Sequence, residues 1–111
     1  MPDQGDIVLI PVPFTDLSSQ KRRPVIVISN NAHNSASLDI VVVAMTSRPD
    51  QSRFSFRIES SDLIDGKLNR PGTVRVDKVY TLAKSIVVKR FGTVSLQVIE
   101  RIRGMLGDLT T

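Results

Sequence analysis

Two stretches, Pro24-Val25-Ile26-Val27-Ile28-Ser29 and Asp39-Ile40-Val41-Val42-Val43-Ala44-Met45, are apolar at nearly every position and rich in β-branched residues. Such side chains are stiff at χ1 and pack well on a pleated surface. A short continuous apolar run of this kind reads as a strand buried on both faces, where a one-sided strand would alternate. Two of them in a chain of 111 residues make the fold β-rich.

The remaining segments fit around that pair. Asp6 to Val12 predicts a first strand, with Pro11 and Pro13 suited to a sheet edge or a strand end. Phe14 to Gln20 reads as a polar turn and Asn30 to Ser37 as a loop, while Thr46-Ser47-Arg48-Pro49-Asp50 ends the second apolar strand. In Arg53 to Ile58, Phe54, Phe56 and Ile58 alternate with Arg53, Ser55 and Arg57, the pattern of a one-sided strand. Ser60 to Pro71 reads as turns with a short helical or irregular excursion. A strand at Thr73 to Val76 continues through Asp77 towards Leu82, and Ile86 to Val94 carries a last short strand. Ser95 then caps a helix whose Val98, Ile99, Ile102, Met105, Leu106 and Leu109 form one apolar stripe. Several short strands and one helix predict a small, strongly bent antiparallel barrel. With no internal repeat and no dividing linker, residues 1–111 read as a single domain.

Composition removes several kinds of chemistry. There is no cysteine, so disulfides and thiolate catalysis are excluded. No apolar run approaches the roughly 20 residues that span a bilayer. The acidic start, Met1-Pro2-Asp3-Gln4-Gly5-Asp6, lacks the basic region of a signal peptide, so a cytoplasmic protein is expected. The one histidine, His33, has no second ligand at useful spacing, so neither a metal nor any other cofactor is expected. The six glycines are scattered and form no phosphate loop.

Charge gives a positive indication. The net charge is +4, but residues 1–19 carry three acids and no base, whereas residues 68–103 hold eight bases against Asp77 and Glu100. Ten of the fifteen basic residues are arginine, the better match to phosphate geometry. An anionic partner follows, nucleic acid first and an acidic protein segment second.

Thr73-Val74-Arg75-Val76-Asp77 is where chemistry concentrates. On a strand, Val74 and Val76 face one side while Thr73, Arg75 and Asp77 share the other. Arginine can fork onto a phosphate, and a carboxylate can accept a proton. The alternative is a surface ion pair, worth about 0–1 kcal/mol. Lys21-Arg22-Arg23-Pro24 and Met45-Thr46-Ser47, each at one end of an apolar run, add a guanidinium and a hydroxyl. Arginine, hydroxyl and carboxylate suffice to cleave RNA, because the 2′-hydroxyl is an internal nucleophile. The enzyme has only to remove its proton and stabilise the charged phosphorane.

These segments, taken in order, resemble the MazF/PemK/Kid toxins of bacterial toxin–antitoxin pairs. The resemblance rests on Gly5-Asp6-Ile7-Val8, Arg22-Arg23-Pro24 with the strand after it, Val43-Ala44-Met45-Thr46-Ser47, Gly72-Thr73-Val74-Arg75-Val76-Asp77, and the helix after Gly92-Thr93-Val94. It implies an SH3-like antiparallel barrel with a C-terminal helix, commonly a homodimer. It also implies a metal-independent endoribonuclease that cuts single-stranded RNA to 2′,3′-cyclic phosphate and 5′-hydroxyl ends, restrained by an antitoxin with an acidic C-terminal segment. By that resemblance the catalytic residues are Arg23, Thr46, Arg75 and Asp77. Arg22, Ser47, Phe54 and Thr73 fall at or beside RNA-contacting positions.

Each has a structural alternative. Threonine at a strand end often caps backbone groups, and Phe54 shares its face with Phe56 and Ile58, as a core residue would. The Kid branch also has a first-loop histidine, which Phe14 to Gln20 lacks. The competing functions are a CcdB-like gyrase-binding toxin and a catalytically degenerate member that only binds antitoxin.

Overall fold

The computed structural model describes residues 2–11, 21–49 and 51–111. Seven strands form one antiparallel sheet: β1 (Asp6–Pro11), β2 (Arg22–Val27), β3 (Asp39–Thr46), β4 (Ser55–Ile58), β5 (Leu63–Gly66), β6 (Gly72–Ala83) and β7 (Lys89–Val94). Their order across the sheet is β4-β6-β3-β2-β1-β7-β5. The two continuous apolar runs are therefore neighbours at the centre, β2 and β3, where both faces are covered. The sheet curls into a half-barrel, and the edge strands β4 and β5 do not pair with each other.

Alternation along the strands divides the interior in two. On one face Ile7, Ile26, Val43, Met45, Val74 and Val76 pack against Val98, Ile99 and Ile102 of helix α2 (Leu96–Leu109), which follows β7. On the other, Val8, Ile10, Val25, Val27, Ile40, Val42 and Leu82 form a second cluster under Tyr80, Ile86 and Val87. Ser95 caps α2 as expected, its hydroxyl accepting from the Val98 N–H at 3.3 Å.

Extra residues on one strand of a pair bend a sheet and sharpen its twist. Here β1 and β7 shift register between Ile7 and Val8, and β5 and β7 between Leu63 and Asp65. The largest step is on β6. Ala44 pairs with Arg75 but its neighbour Val43 pairs with Val79, so Val76, Asp77 and Lys78 bulge out of the ladder. At the β5–β7 turn of the curl, Gly66 (φ +81°) lies opposite Gly92, and a Cβ on either would enter the other strand's backbone.

Two segments differ from the sequence expectation. Asn30 to Ser37 is not all loop, for it holds a short helix, α1 (Asn31–Ala36). The Asn30 side chain accepts from the His33 N–H at 2.8 Å, and buried Asn34 donates its amide to the Ser29 carbonyl at 2.9 Å. Capping and one buried polar anchor thus order a segment with no apolar period to reveal it. Ser60 to Pro71 contains a 3-10 turn at Ser60–Asp62 and then β5, too short for alternation to show. The expected turn over Phe14 to Gln20, and the end of the first strand at Val12, lie outside the described residues.

Candidate nucleic-acid interface

The second cluster is not closed along its whole length. Where β2 begins and β3 ends, its floor gives way to a solvent-open cavity of about 630 Å³. Arg23 on β2, Thr46 at the end of β3 and Arg75 on β6 all line it, with Arg48, Lys78 and Tyr80 at its margins. Register explains the meeting. Val25 of β2 pairs with Ala44 of β3, and Ala44 pairs with Arg75 of β6. Continuing the β2–β3 register by two residues brings Arg23 alongside Thr46. Residues 22 and 23 alternate like any others, so Arg23 shares a face with Val25 and Val27, while Arg22 points to the other.

Arg75 and Asp77 form a two-pronged ion pair, with Arg75 Nε and Nη2 donating to Asp77 Oδ1 and Oδ2 at 3.1 and 3.0 Å. The hydrogen bond from Arg75 pulls the Asp77 carboxyl below its ordinary value, more than the partial burial of the site raises it, and the charges of Arg75 and Lys78 add to the fall. The pair is neither sealed nor fully wet: its side chains are 19% and 29% exposed. Thr46 Oγ1 accepts from the Arg48 N–H at 3.3 Å, so the hydroxyl does cap the strand end. It keeps its own hydrogen to donate elsewhere.

The other expected contacts divide. Ser47 is exposed beside the cavity, in a neighbouring hollow of about 450 Å³ rimmed by Lys67, Arg70 and Lys89. Phe54 packs against the helix-side core, with the Arg53 guanidinium 5.4 Å from its ring centroid, and so faces away from the cavity. Thr73 does share the face of Arg75, but it is fully buried (0% exposed) and its hydroxyl accepts from Arg57 Nη1 at 2.8 Å. Sequence reasoning passed over Arg57, Arg48, Lys78 and Tyr80. The alternation in Arg53 to Ile58 did put Arg57 on the outward face, but only the pairing of β4 with β6 shows which residues it stands beside. Among the described residues, no three His, Asp or Glu side chains gather as a metal-ligand set.

The fold, a strongly curled antiparallel half-barrel, matches a group of solved structures. A MazE–MazF structure from Deinococcus radiodurans is 26% identical, with a TM-score of 0.79 over 98% of this chain and 95% of that one. An endoribonuclease in complex with its cognate antitoxin, from a mycobacterial species, has the same fold at 22% identity, with a TM-score of 0.79 over 97% and 93% of the two chains. Mycobacterium tuberculosis toxin MazF-mt6 follows at 16% identity and a TM-score of 0.73, over 93% of each chain. No curated protein matches significantly.

The family model for the PemK-like, MazF-like toxin of type II toxin–antitoxin systems matches residues 3–109. The chain belongs to that family. None of its described helices is long and apolar enough to cross a membrane.

Proposed function

We propose that this toxin is a metal-independent endoribonuclease acting on single-stranded RNA through 2′-hydroxyl attack. The observation that carries the reading is the convergence of Arg23, Thr46 and Arg75, from three different strands, on one open cationic cavity. The name endoribonuclease borne by similar structures supports it. Attack by the 2′-oxygen puts extra negative charge on the phosphorus-bound oxygens. The Arg23 and Arg75 guanidiniums, carried on neighbouring parts of one sheet, can both meet that charge and stabilise it electrostatically. The Thr46 hydroxyl orients a phosphate oxygen.

Asp77 is the proton acceptor in this reading, and its pairing with Arg75 gives it a condition. Held by Arg75 it is a weak base, because the hydrogen bond favours its charged form. When the Arg75 fork turns to the phosphate, Asp77 loses the partner that depresses its pKa. One movement thus delivers positive charge to the phosphorane and restores basicity beside the 2′-hydroxyl. The 5′-oxygen leaves with a proton from water.

An acidic antitoxin segment competes for the same cations, a role supported by the antitoxin complexes of similar toxins. A homodimer, with RNA lying in a groove between subunits, belongs to the same reading, as does a cytoplasmic site of action. The test is to incubate the purified protein with a long RNA in EDTA and map the new ends. Fragments with 5′-hydroxyl and 2′,3′-cyclic phosphate ends are expected, at sites set by sequence. Intact RNA, or cleavage that EDTA abolishes, refutes the proposal.

A further inference from the structure

One strong cation at this end of the sheet has no place in the reaction just described. Arg57 stands on edge strand β4 directly opposite Thr73, and Thr73 is itself opposite Thr46 on β3. With Arg23 beside Thr46, four side chains lie in one row across four strands: Arg23, Thr46, Thr73 and Arg57. They span three strand spacings of about 4.8 Å, or roughly 14 Å. The next row holds Ser55, Arg75 and Ala44.

Arg57 is exposed, yet it is held in place. Its Nη1 donates to the buried Thr73 hydroxyl at 2.8 Å and reaches the Ser47 carbonyl at 3.5 Å. Among the described residues its Nε and Nη2 have no acceptor. A pinned guanidinium gives up less rotamer freedom when it takes a phosphate than a loose one does. Arg57 also lines a shallow hollow with Glu59 and Asp62, which are tied to each other's backbone. Like charge closes that direction to a polyanion, so a cationic track starting at Arg23 ends at Arg57.

We propose that Arg57 binds a phosphate of the RNA strand other than the scissile one, and so makes the strand cross the sheet along the Arg23–Thr46–Thr73–Arg57 row. Thr73 is a positioning residue in this arrangement, acting through Arg57 from beneath. The inference rests on the proposed function, because it assigns a second anchoring point on the same substrate.

Binding to a 2′-fluoro single strand tests it, since the protein cannot cleave a strand without the 2′-hydroxyl. For every phosphate the protein ceases to neutralise, the slope of log affinity against log salt should fall by about 0.7. Arg57→Gln, which keeps a donor for Thr73 but no charge, is expected to show that reduction. It should also bind roughly tenfold more weakly at low salt, the weight of one hydrogen bond to a charged group. Arg57→Lys should keep the slope. On cleavable RNA, Arg57→Gln should raise KM and leave kcat nearly unchanged. Wild-type slope and affinity in Arg57→Gln overturn the inference alone. A slope reduced equally in Arg57→Lys and Arg57→Gln also overturns it, because the loss would then not follow the charge at this position. Failure of the wild-type protein to bind the strand overturns the proposed function and this inference together.

Discussion

Two arginine–aspartate assemblies lie at opposite ends of the sheet, and they are built for different ends. In one, Arg90 on β7 donates to Asp6 on β1 at 3.2 Å and to Asp65 on β5. Asp6 is buried (4% exposed) and also accepts from the Thr93 hydroxyl at 2.8 Å and the Asp3 N–H at 2.9 Å. Each partner of that carboxylate belongs to a strand or loop it joins. In the other, Arg75 and Asp77 grip each other across the edge of a bulge, Arg75 in the ladder and Asp77 out of it. Arg75 lies at the wall of an open cavity that also receives Arg23 and Thr46, and Asp77 is held behind it.

Both assemblies depress an aspartate by the same cause, a hydrogen bond from arginine, seen at Asp65 and at Asp77. A perturbed carboxylate therefore does not separate a staple from a site. What separates them is the surroundings: strands converging on Asp6, against an open cavity and further cations beside Arg75.

The largest effect that would sharpen this contrast is on Arg23. Arg23→Ala should lower the rate of RNA cleavage by roughly 10³-fold, the upper range for losing one preorganised donor to the developing charge. Its melting temperature should stay near that of the wild type, because the side chain is exposed. Calorimetry beside initial rates with a fluorogenic RNA reads both quantities, and full activity would move the catalytic role to Arg22 or Arg75.

Asp77→Asn comes next, with cleavage down roughly 10²-fold, at the low end for a general base. Its pH dependence has a definite sign. The folded pKa of Asp77 is depressed below 3.8, so the charged form, and the stability its pairing adds, is complete above that value. Both are lost only as pH falls through the lower folded value. The free toxin should thus show no acid limb from Asp77 between about pH 5 and 8, and kcat/KM of Asp77→Asn should drop without changing shape there. A limb in that window that vanishes in the variant would show that Arg75 does not hold Asp77 in the free protein.

Asp6→Ala should act on the other side of the comparison. It strands Thr93 and the Asp3 N–H and removes a partner of Arg90, which is itself half exposed and can turn to water. A loss of about 2 kcal/mol in urea unfolding is expected, below the value for a fully buried ion pair. Specific activity of the folded fraction should be unchanged. If Asp6→Ala abolished cleavage in a stable protein, the division into staple and site would fail.

Much of the architecture was legible in the chain. The runs at Pro24 to Ser29 and Asp39 to Met45 announce central strands, because only a position covered on both faces accepts apolar side chains at every step. The stripe from Val98 to Leu106 announces a helix lying on one face. The alternation at Phe54, Phe56 and Ile58 puts those side chains in the core, and the structure agrees. The α1 helix was not legible, since a cap and one buried asparagine define it. Nor was the staple: Asp6, Asp65 and Arg90 are ordinary surface types in sequence, brought together by the curl of the sheet.

By itself, then, the sequence determined which side of each strand faces inward, because side-chain alternation is a local property of the backbone. It determined that Arg75 and Asp77 share a face, for the same reason. Only the tertiary structure decided that Arg23 and not Arg22 lines the cavity with Thr46, that Thr73 is sealed beneath Arg57, and that Asp77 is gripped by Arg75. These depend on the register between strands far apart in the chain and on the bulge at Val76, Asp77 and Lys78. Register is fixed by packing summed over the whole sheet, and no local stretch of residues carries it.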